Sequence, residues 1–439
     1  GLYWIGSAFM VADTYHKVLM PLAVVILPSV LAIFWGIACV FAKLLTKKNQ
    51  SSLFLIIVFL TLFEYLRAKL FTGFPWLMPS IILSSNEYLI QIFAFVGSFT
   101  ANLFVFSFSI LPFVLISNFK SKHIIFVLLS IPITILFFSS FVRFYNKDIK
   151  KTDNNLITLV QPNIEQKNKW NLEKRKANLN KLTQLSLQNV NEYKGINRII
   201  IWPETSFEGS IPNEMKLLSI ISKRILKHQK AILVVGLLRV DKNKLFNSLV
   251  FLNSKGNIIH QYDKIHLVPF GEYIPFRSKF TTIANFLSLK DFSSGNIKPN
   301  FTLKGLGNIL TLICYEILFT EEVISRLSKN TNLLINITND AWFGKTIGPY
   351  QHLALAKIKA VELGIPLARV ANTGISVLIS PYGEEITKIP LYESGVRTAK
   401  LTLPLKNTIY RRYGEIIFIV SILFLIFINI VCDYKFGRN

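Results

Sequence analysis

Hydrophobic and polar positions alternate on two different length scales along this chain. Residues 18–42, 53–70, 88–117, 124–142 and 416–431 are almost continuously apolar, and about 20 such residues suffice to cross a bilayer as a helix. Five membrane helices are expected, the third long enough to tilt and the last short. Between 146 and 412 the apolar positions break into short runs: "LITLVQP", "RIIIWPE", "AILVVGLL", "NSLVFLN", "GNILTLICYE", "NLLINIT", "LARVAN" and "ISVLIS". They are rich in Ile, Val and Leu and bounded by Gly, Pro, Asn and Asp, which predicts strands. Helix-period stretches separate them at 171–193, 213–228, 320–328 and 351–363. This alternation predicts sheets covered by helices, with chemistry on the loops at strand ends. Segments 206–212 and 296–305 read as irregular connections.

Charge orients the spans. Lys43, Lys47 and Lys48 follow the first apolar stretch, Lys120 and Lys122 lie between the third and fourth, and Lys435 and Arg438 follow the fifth. Basic residues gather on cytoplasmic loops, and these three segments agree with simple alternation, so 146–412 is expected outside the cytoplasm. Arg67 and Lys69 run against the trend, and an arginine at such a boundary reads by itself as a snorkelling anchor. The expected organisation is a transmembrane helical domain at 1–145 with about four spans, an α/β domain at 146–412, and a C-terminal transmembrane helix with a short cytoplasmic tail at 413–439.

Composition narrows the class. The 439 residues are 51% hydrophobic and 17% charged, too apolar for a wholly soluble protein and too long for one ordinary domain. Net charge is +24, from 49 Lys and Arg against 25 Asp and Glu. No basic run interleaves with aromatics, so a membrane is the expected partner and nucleic acid is not. Of three cysteines, Cys39 and Cys432 sit in apolar runs, which leaves no disulfide framework. The chain begins at Gly1 inside an aromatic stretch, so an upstream piece is expected to be missing. No cleavable signal peptide is visible, and none is needed if the first membrane helices do the targeting.

Cys314, in "TLICYEILFT", is the one cysteine of the polar half. Glu204 lies in "IIIWPETSF", and Lys264 in "YDKIHLVPFGEYIPF", with Glu272 eight residues further on. Acyl transfer through a thiol needs a nucleophile, a base for its proton, and a cation or donor for the oxyanion. A thiolate is the reactive form and a neighbouring ammonium favours it, while a carboxylate can take the thiol proton and return it. Singly, each residue has an ordinary reading: an inert buried thiol, a helix cap or surface acid, a loop cation. With six histidines and no serine–histidine–aspartate arrangement, a histidine mechanism is less attractive, and His266 reads as structural.

Whole strings change that balance. "WPET", "DKIHLVPFGEYIP" and "CYE" resemble, in order, the three motif regions of the nitrilase superfamily. With fused membrane spans the resemblance narrows to the bacterial apolipoprotein N-acyltransferase family. "LRAKLFTGFPW" resembles that family's membrane signature, and "TNDAWFGKTIGPYQHLALAKIKAVELGIPLARVANTGIS" its signature after the nucleophile. The likeness covers nearly the whole chain. It implies a polytopic α-helical membrane domain plus an α/β nitrilase-like αββα four-layer sandwich. The family usually has eight spans, so about three are expected before Gly1.

Carried over by position, the resemblance makes Glu204 the general base, Lys264 the oxyanion-stabilising cation and Cys314 the nucleophile. Glu272 and Glu316 would position Lys264 and the thiol, and the backbone N–H of Tyr315 would add an oxyanion donor. Arg67 and Gly73 match membrane-boundary positions the family relies on, which reverses the snorkelling reading. Trp170 would line the substrate entrance, and Trp342 and Phe343 would contact acyl chains. For the aromatics of "FGEYIPF" and "DAWFG", buried core packing stands at even odds with an arm dipping into the interface. Asn339 and Asp340 read more readily as a turn than as a substrate contact.

The implied reaction is ping-pong acyl transfer. A phospholipid, commonly phosphatidylethanolamine, gives its sn-1 acyl chain to the thiol, and the α-amino group of a diacylglyceryl-cysteine at an apolipoprotein N-terminus receives it. The expected setting is the bacterial inner membrane with the catalytic domain on the periplasmic side, and no metal or organic cofactor is required. One rival is a membrane-tethered amidase for a soluble carbon–nitrogen substrate, against which the specific "GFPW" turn argues. A scaffold or transporter is the other, although a transporter should carry ionisable residues in several spans and Glu64 is the main example.

Overall fold

The computed structural model describes residues 1–11, 15–45, 52–117, 122–188, 190–193, 195–275, 277, 291–296 and 301–436. Lys47, Lys48, Lys120 and Arg438, which carry part of the sidedness argument, lie outside the described residues, as does part of the 296–305 connection. The chain divides into two compact units. One comprises 1–24, 149–360 and 365–404, and the other 25–148, 361–364 and 405–439.

In the first unit, every apolar run quoted above lies in a strand, because Ile- and Val-rich segments fit a pleated, buried surface. One sheet contains β1 (Lys151–Gln161), β2 (Asn197–Ile201), β3 (Ser210–Ile211), β4 (Ala231–Asp241), β5 (Lys244–Leu252) and β6 (Ile258–Asp263). The second holds β7 (Phe301–Leu303), β8 (Gly307–Ile313), β9 (Thr331–Thr338), β10 (Leu367–Ala371), β11 (Ser376–Ile379) and β12 (Glu385–Ile389). The last strand, β13 (Gly395–Thr402), returns to the first sheet. The orders are β13-β1-β2-β4-β5-β6, with β3 beside β4, and β12-β11-β10-β9-β8-β7. In both sheets the central strands are parallel: β1, β2 and β4 in one, β8, β9 and β10 in the other.

Side-chain alternation sorts these strands into layers. Ile157, Leu159, Ile199, Ile201, Val234 and Leu249 of the first sheet share one buried core with Ile313, Leu333, Ile335, Ile337, Val370 and Leu378 of the second. The opposite parity of the first sheet, including Val160, Ile200, Trp202, Leu233, Val235 and Val250, packs with Leu182 of helix Leu172–Ser186 and Ile225 of helix Met215–Leu226. Leu312, Leu334 and Val377, of opposite parity in the second sheet, are buried too. Helices Thr320–Arg326 and Gly348–Leu363 complete the αββα order, joined by the Lys359 ammonium on the Thr320 hydroxyl. Sheets buried on both faces require continuous apolar runs, which is why their sequence signal was clear. Residues 1–24 pack within this unit: Trp4 Nε1 donates to Gln351 Oε1 (2.9 Å).

Four helical segments, Lys17–Leu45, Leu89–Ile116, Lys122–Tyr145 and Ile416–Tyr434, are long and apolar enough to cross a membrane. The remaining expected span, 53–70, is helix Ser52–Arg67 of 16 residues, about 24 Å of helix against a hydrocarbon core of about 30 Å. Its end is set by chemistry. Arg67 is buried, with Nη2 on Glu64 Oε2 (2.6 Å) and Nη1 donating to the carbonyls of Phe74 (2.8 Å) and Trp76 (2.9 Å). The Arg67 carbonyl accepts from Phe74 N–H (3.0 Å), and Trp35 Nε1 donates to Glu64 Oε1 (2.5 Å). Gly73 sits at φ 80°, ψ 145°, a conformation that a Cβ disfavours. Arg67 is therefore no snorkelling anchor; it fastens the "GFPW" turn from inside.

Candidate active site

Glu204 follows β2 through Trp202 and Pro203. Trp202 N–H still pairs with the Val234 carbonyl of β4 (2.9 Å) and its indole donates to Ser186 (2.8 Å), so the strand end is rigid. A Cβ at Gly236 would collide with the Pro203 carbonyl and lie 2.7 Å from Glu204 Cα. Only glycine lets β4 pass this close behind the carboxylate. Thr205, held at φ 44°, turns the chain away.

Lys264 stands directly after β6. Its N–H donates to the Asn247 carbonyl (2.8 Å) and its carbonyl accepts from Gly295 (2.8 Å). The buried ammonium meets Glu272 Oε2 at 2.7 Å, and the same oxygen accepts from Val268 N–H (2.8 Å). Asn247, on β5, joins the two acids: its Nδ2 donates to Glu204 Oε1 (2.7 Å) and to Glu272 Oε1 (3.0 Å). Two carboxylates on that nitrogen fix which end of the amide faces them.

Cys314 follows β8 at φ 54°, in the sparsely populated left-handed region, and opens the turn Cys314–Leu318. Its Sγ lies 3.3 Å from Thr338 Oγ1 of β9, and its carbonyl accepts from Asn336 Nδ2 (3.2 Å). Below it, Glu316 collects donors from three directions. Its Oε1 accepts from Tyr262 Oη (2.7 Å), the N–H groups of Ile265 (2.9 Å) and His266 (3.2 Å), and Arg326 Nη1 (3.2 Å). Its Oε2 accepts from Ile313 N–H (2.8 Å). One carboxylate thus ties the residue after Lys264 to the residue before Cys314.

The charges interact. Burial pushes the Glu204 carboxyl above the ordinary range; Lys264 opposes this and Glu272 reinforces it. Burial disfavours the Lys264 ammonium, but Glu272, then Cys314 and Glu204, hold it above the usual lysine range. Burial and then Glu204 raise the Cys314 thiol, against the pull of Lys264. The ammonium expected to favour a thiolate is thus outweighed at rest: the sulfur carries its proton until a base takes it. Among the described residues no group of three or more His, Cys, Asp and Glu is arranged to hold a metal ion.

Glu204, Lys264, Cys314 and Glu272 therefore converge, with Glu316 beneath them. The Tyr315 ring is buried against His266 and Phe319 (centroids 5.8 and 5.0 Å). His266 Nδ1 meets Glu322 (2.7 Å) and its ring stacks on Phe319, consistent with a structural residue. Trp170 and Trp342 are exposed, as is Phe270 of "FGEYIPF". The half-buried Phe343 ring packs edge-on against Trp4 (4.5 Å) and His352 (5.9 Å). Arg67 and Gly73 belong to the other unit. The pair Asn339–Asp340 is more than a turn: both are buried, and Asp340 accepts from Arg369 Nη2 (2.8 Å).

Sequence reasoning missed Asn247, Thr338, Arg369 and Lys169. Lys169, beside Trp170, buries its ammonium on the Glu204 carbonyl (3.2 Å) and the Thr205 hydroxyl (2.6 Å). Burial lowers its pKa to about 8, against the pull of Glu204 and Glu208. The only local signal was a cation beside an aromatic in "NKW".

A family model described as Carbon-nitrogen hydrolase matches residues 156–409, and one described as Apolipoprotein N-acyltransferase N-terminal domain matches residues 1–111. The chain is similar to the Apolipoprotein N-acyltransferase of Rhodopseudomonas palustris, at 32% identity over 95% of this chain and 80% of that protein. It is 34% identical to that of Allorhizobium ampelinum over 92% of this chain and 77% of that protein. For Rickettsia bellii the identity is 32% over 99% and 87%. Among solved structures, Saccharomyces cerevisiae Nit3, a member of branch 10 of the nitrilase superfamily, superposes with a TM-score of 0.43 at 17% identity, over 57% of this chain and 91% of that one. With one family model spanning more than half its length and relatives above 30% identity along most of theirs, the chain belongs to the apolipoprotein N-acyltransferase family, acyltransferases of the nitrilase superfamily.

Proposed function

We propose that Cys314 carries an acyl chain between two lipids. Glu204 takes the thiol proton as the sulfur attacks the sn-1 ester carbonyl of a phospholipid, phosphatidylethanolamine being the expected donor. The carbon–sulfur bond forms, the ester carbon–oxygen bond breaks, and Glu204 returns the proton to the departing lysophospholipid oxygen. The α-amino group of a diacylglyceryl-cysteine at an apolipoprotein N-terminus then attacks the thioester. A carbon–nitrogen bond replaces the carbon–sulfur bond, and Glu204 moves the amine proton back to the sulfur. Lys264 faces the oxyanion in both halves.

One observation carries this reading: a buried acid and a buried ammonium set beside a half-buried thiol, all held by Asn247, Glu272 and Glu316. The elevated Glu204 suits a group that must both accept and return a proton. Lys264, clamped on Glu272, is an ammonium that stays charged throughout. The Tyr315 N–H is proposed as a second oxyanion donor. Residues 1–145 and 413–439 would carry the membrane spans and 146–412 the catalytic domain, with which residues 1–24 also group, on the periplasmic side of the inner membrane. Trp170 and Trp342, both exposed aromatics, are proposed to meet acyl chains, while Arg67 and Gly73 shape the "GFPW" turn at the lipid boundary.

The test uses the purified full chain with phosphatidylethanolamine vesicles and a diacylated lipopeptide. The peptide should gain the mass of one acyl chain, and Cys314→Ala should abolish the gain while still inserting in membranes. Ammonia released from a soluble amide, with no gain on the peptide, would support the tethered amidase instead.

A further inference from the structure

Behind the sulfur lies a closed polar array that the reaction above does not use. Thr338, the last residue of β9, is fully buried. Its Oγ1 lies 3.3 Å from Cys314 Sγ and 2.9 Å from Asp340 Oδ1. Asp340 is immobilised in turn: Arg369 Nη2 donates to Oδ2 (2.8 Å), and His352 Nδ1 lies 3.0 Å from Oδ1. Arg369 also donates through Nη1 to Asn336 Oδ1 (2.7 Å), and Asn336 Nδ2 donates to the Cys314 carbonyl. The array therefore grips both the side chain and the backbone of Cys314.

A threonine hydroxyl has one hydrogen and accepts on its lone pairs. While Cys314 is a thiol, the Thr338 hydrogen belongs on the Asp340 carboxylate, and the thiol hydrogen can point at the Thr338 oxygen. Once the S–H bond breaks and its proton passes to Glu204, the electron pair stays on sulfur and a better acceptor appears 3.3 Å away. We propose that Thr338 is a further catalytic residue whose hydroxyl turns from Asp340 to the Cys314 sulfur as the thiolate forms and turns back when the thioester quenches the charge. Such a donor acts on the charged sulfur and not on the neutral one, the differential that lowers a barrier.

Asp340 is not a competing base. Burial disfavours its charge, but Arg369 and then His352 hold its carboxyl well below the usual range. Burial and Arg369 lower the His352 imidazolium as well, so its neutral ring donates to Asp340. Without Thr338, the thiolate would face the Asp340 carboxylate unscreened.

This inference rests on Cys314 as the nucleophile, but its test reads the sulfur directly. Alkylation of Cys314 by iodoacetamide, followed by mass spectrometry of its peptide across pH, reports the thiolate fraction without any acyl transfer. Cys39 and Cys432 are resolved as separate peptides. The charged and titratable groups around the sulfur are Glu204 after β2, Lys264 after β6 with Glu272 behind it, Asp340 after β9, His352 on helix Gly348–Leu363, and Arg369 on β10. Thr338→Val leaves all of them in place. It should raise the midpoint of the alkylation profile by about one pH unit and slow alkylation at neutral pH about tenfold. Acyl transfer should fall in kcat with KM little changed, and Thr338→Ser should restore both readouts. Should the valine variant fail to fold, Thr338→Ala replaces it. An alkylation profile unchanged within twofold, or a folded serine variant as slow as valine, overturns the proposal. Loss of transfer in Cys314→Ala is judged separately and bears on the nucleophile alone.

Discussion

Lys169 shows what a single buried charge is kept for. Its pKa is lowered from 10.5 to about 8, so the folded state holds the ammonium against its preference below that value. The unfolded chain binds more protons between about pH 8 and 10.5, so this group's destabilisation is full below pH 8 and fades as pH rises through that window. The shift corresponds to ~3 kcal/mol. Lys169→Met, with similar reach and no charge, should therefore melt no lower than wild type at pH 7 in a thermal scan. Because the ammonium holds the Glu204 carbonyl and the Thr205 hydroxyl, the same variant should lose about tenfold in kcat/KM. Glu204 predicts the acid limb of the pH profile. Its carboxyl is raised above 4.5 and must be ionised to act as a base, so kcat/KM should fall with decreasing pH at a higher pH than an exposed carboxylate would give. A Glu204→Gln variant at full rate would refute the assignment.

The same residues explain what the sequence could disclose. Glu204, Lys264 and Cys314 sit inside short strings whose neighbours fix their local conformation, so a linear reading could single them out as candidates. Asn247 and Thr338 are ordinary polar residues on strands, and their importance comes from partners distant in the chain: Glu204 lies 43 positions from Asn247, and Cys314 24 from Thr338. No periodicity or spacing encodes such a meeting.

At the scale of elements, strands buried on both faces were legible because they are continuous apolar runs. The edge strands were not. β7, β12 and β13 carry exposed or half-buried residues over most of their length, so they lack that signature. Helix Ser52–Arg67 ended early for a related reason: Glu64 and Arg67 neutralise one another inside the fold rather than reach for a surface. Glu316 joins β6, β8 and helix Thr320–Arg326, so its variant should perturb elements rather than chemistry alone. In Glu316→Gln an NH2 group must face one of those N–H donors, and Arg326 loses a charged acceptor while keeping Glu322 (2.8 Å) and Tyr262 (2.9 Å). The expected cost is about 2 kcal/mol, with a melting point lower by about 5 °C and reduced kcat. A variant that melts with wild type would show that the clamp contributes little.

For the whole molecule, the α/β sandwich supplies a rigid frame and the apolar helices supply access to lipid. The two units carry different information. The sandwich follows from alternation and parity, whereas the membrane unit follows from hydropathy alone, with the buried Arg67–Glu64 pair fixing the "GFPW" turn. The proposed reaction requires the chain to act as a covalent carrier of an acyl group. The most direct measurement is the intact mass of the purified chain after incubation with phosphatidylethanolamine and no amine acceptor. One added acyl chain is expected, mapped to Cys314, labile to hydroxylamine, absent in Cys314→Ala, and discharged onto a diacylated lipopeptide added afterwards. Acylation of the lipopeptide with no acyl group ever detected on Cys314, or transfer surviving in Cys314→Ala, would contradict it.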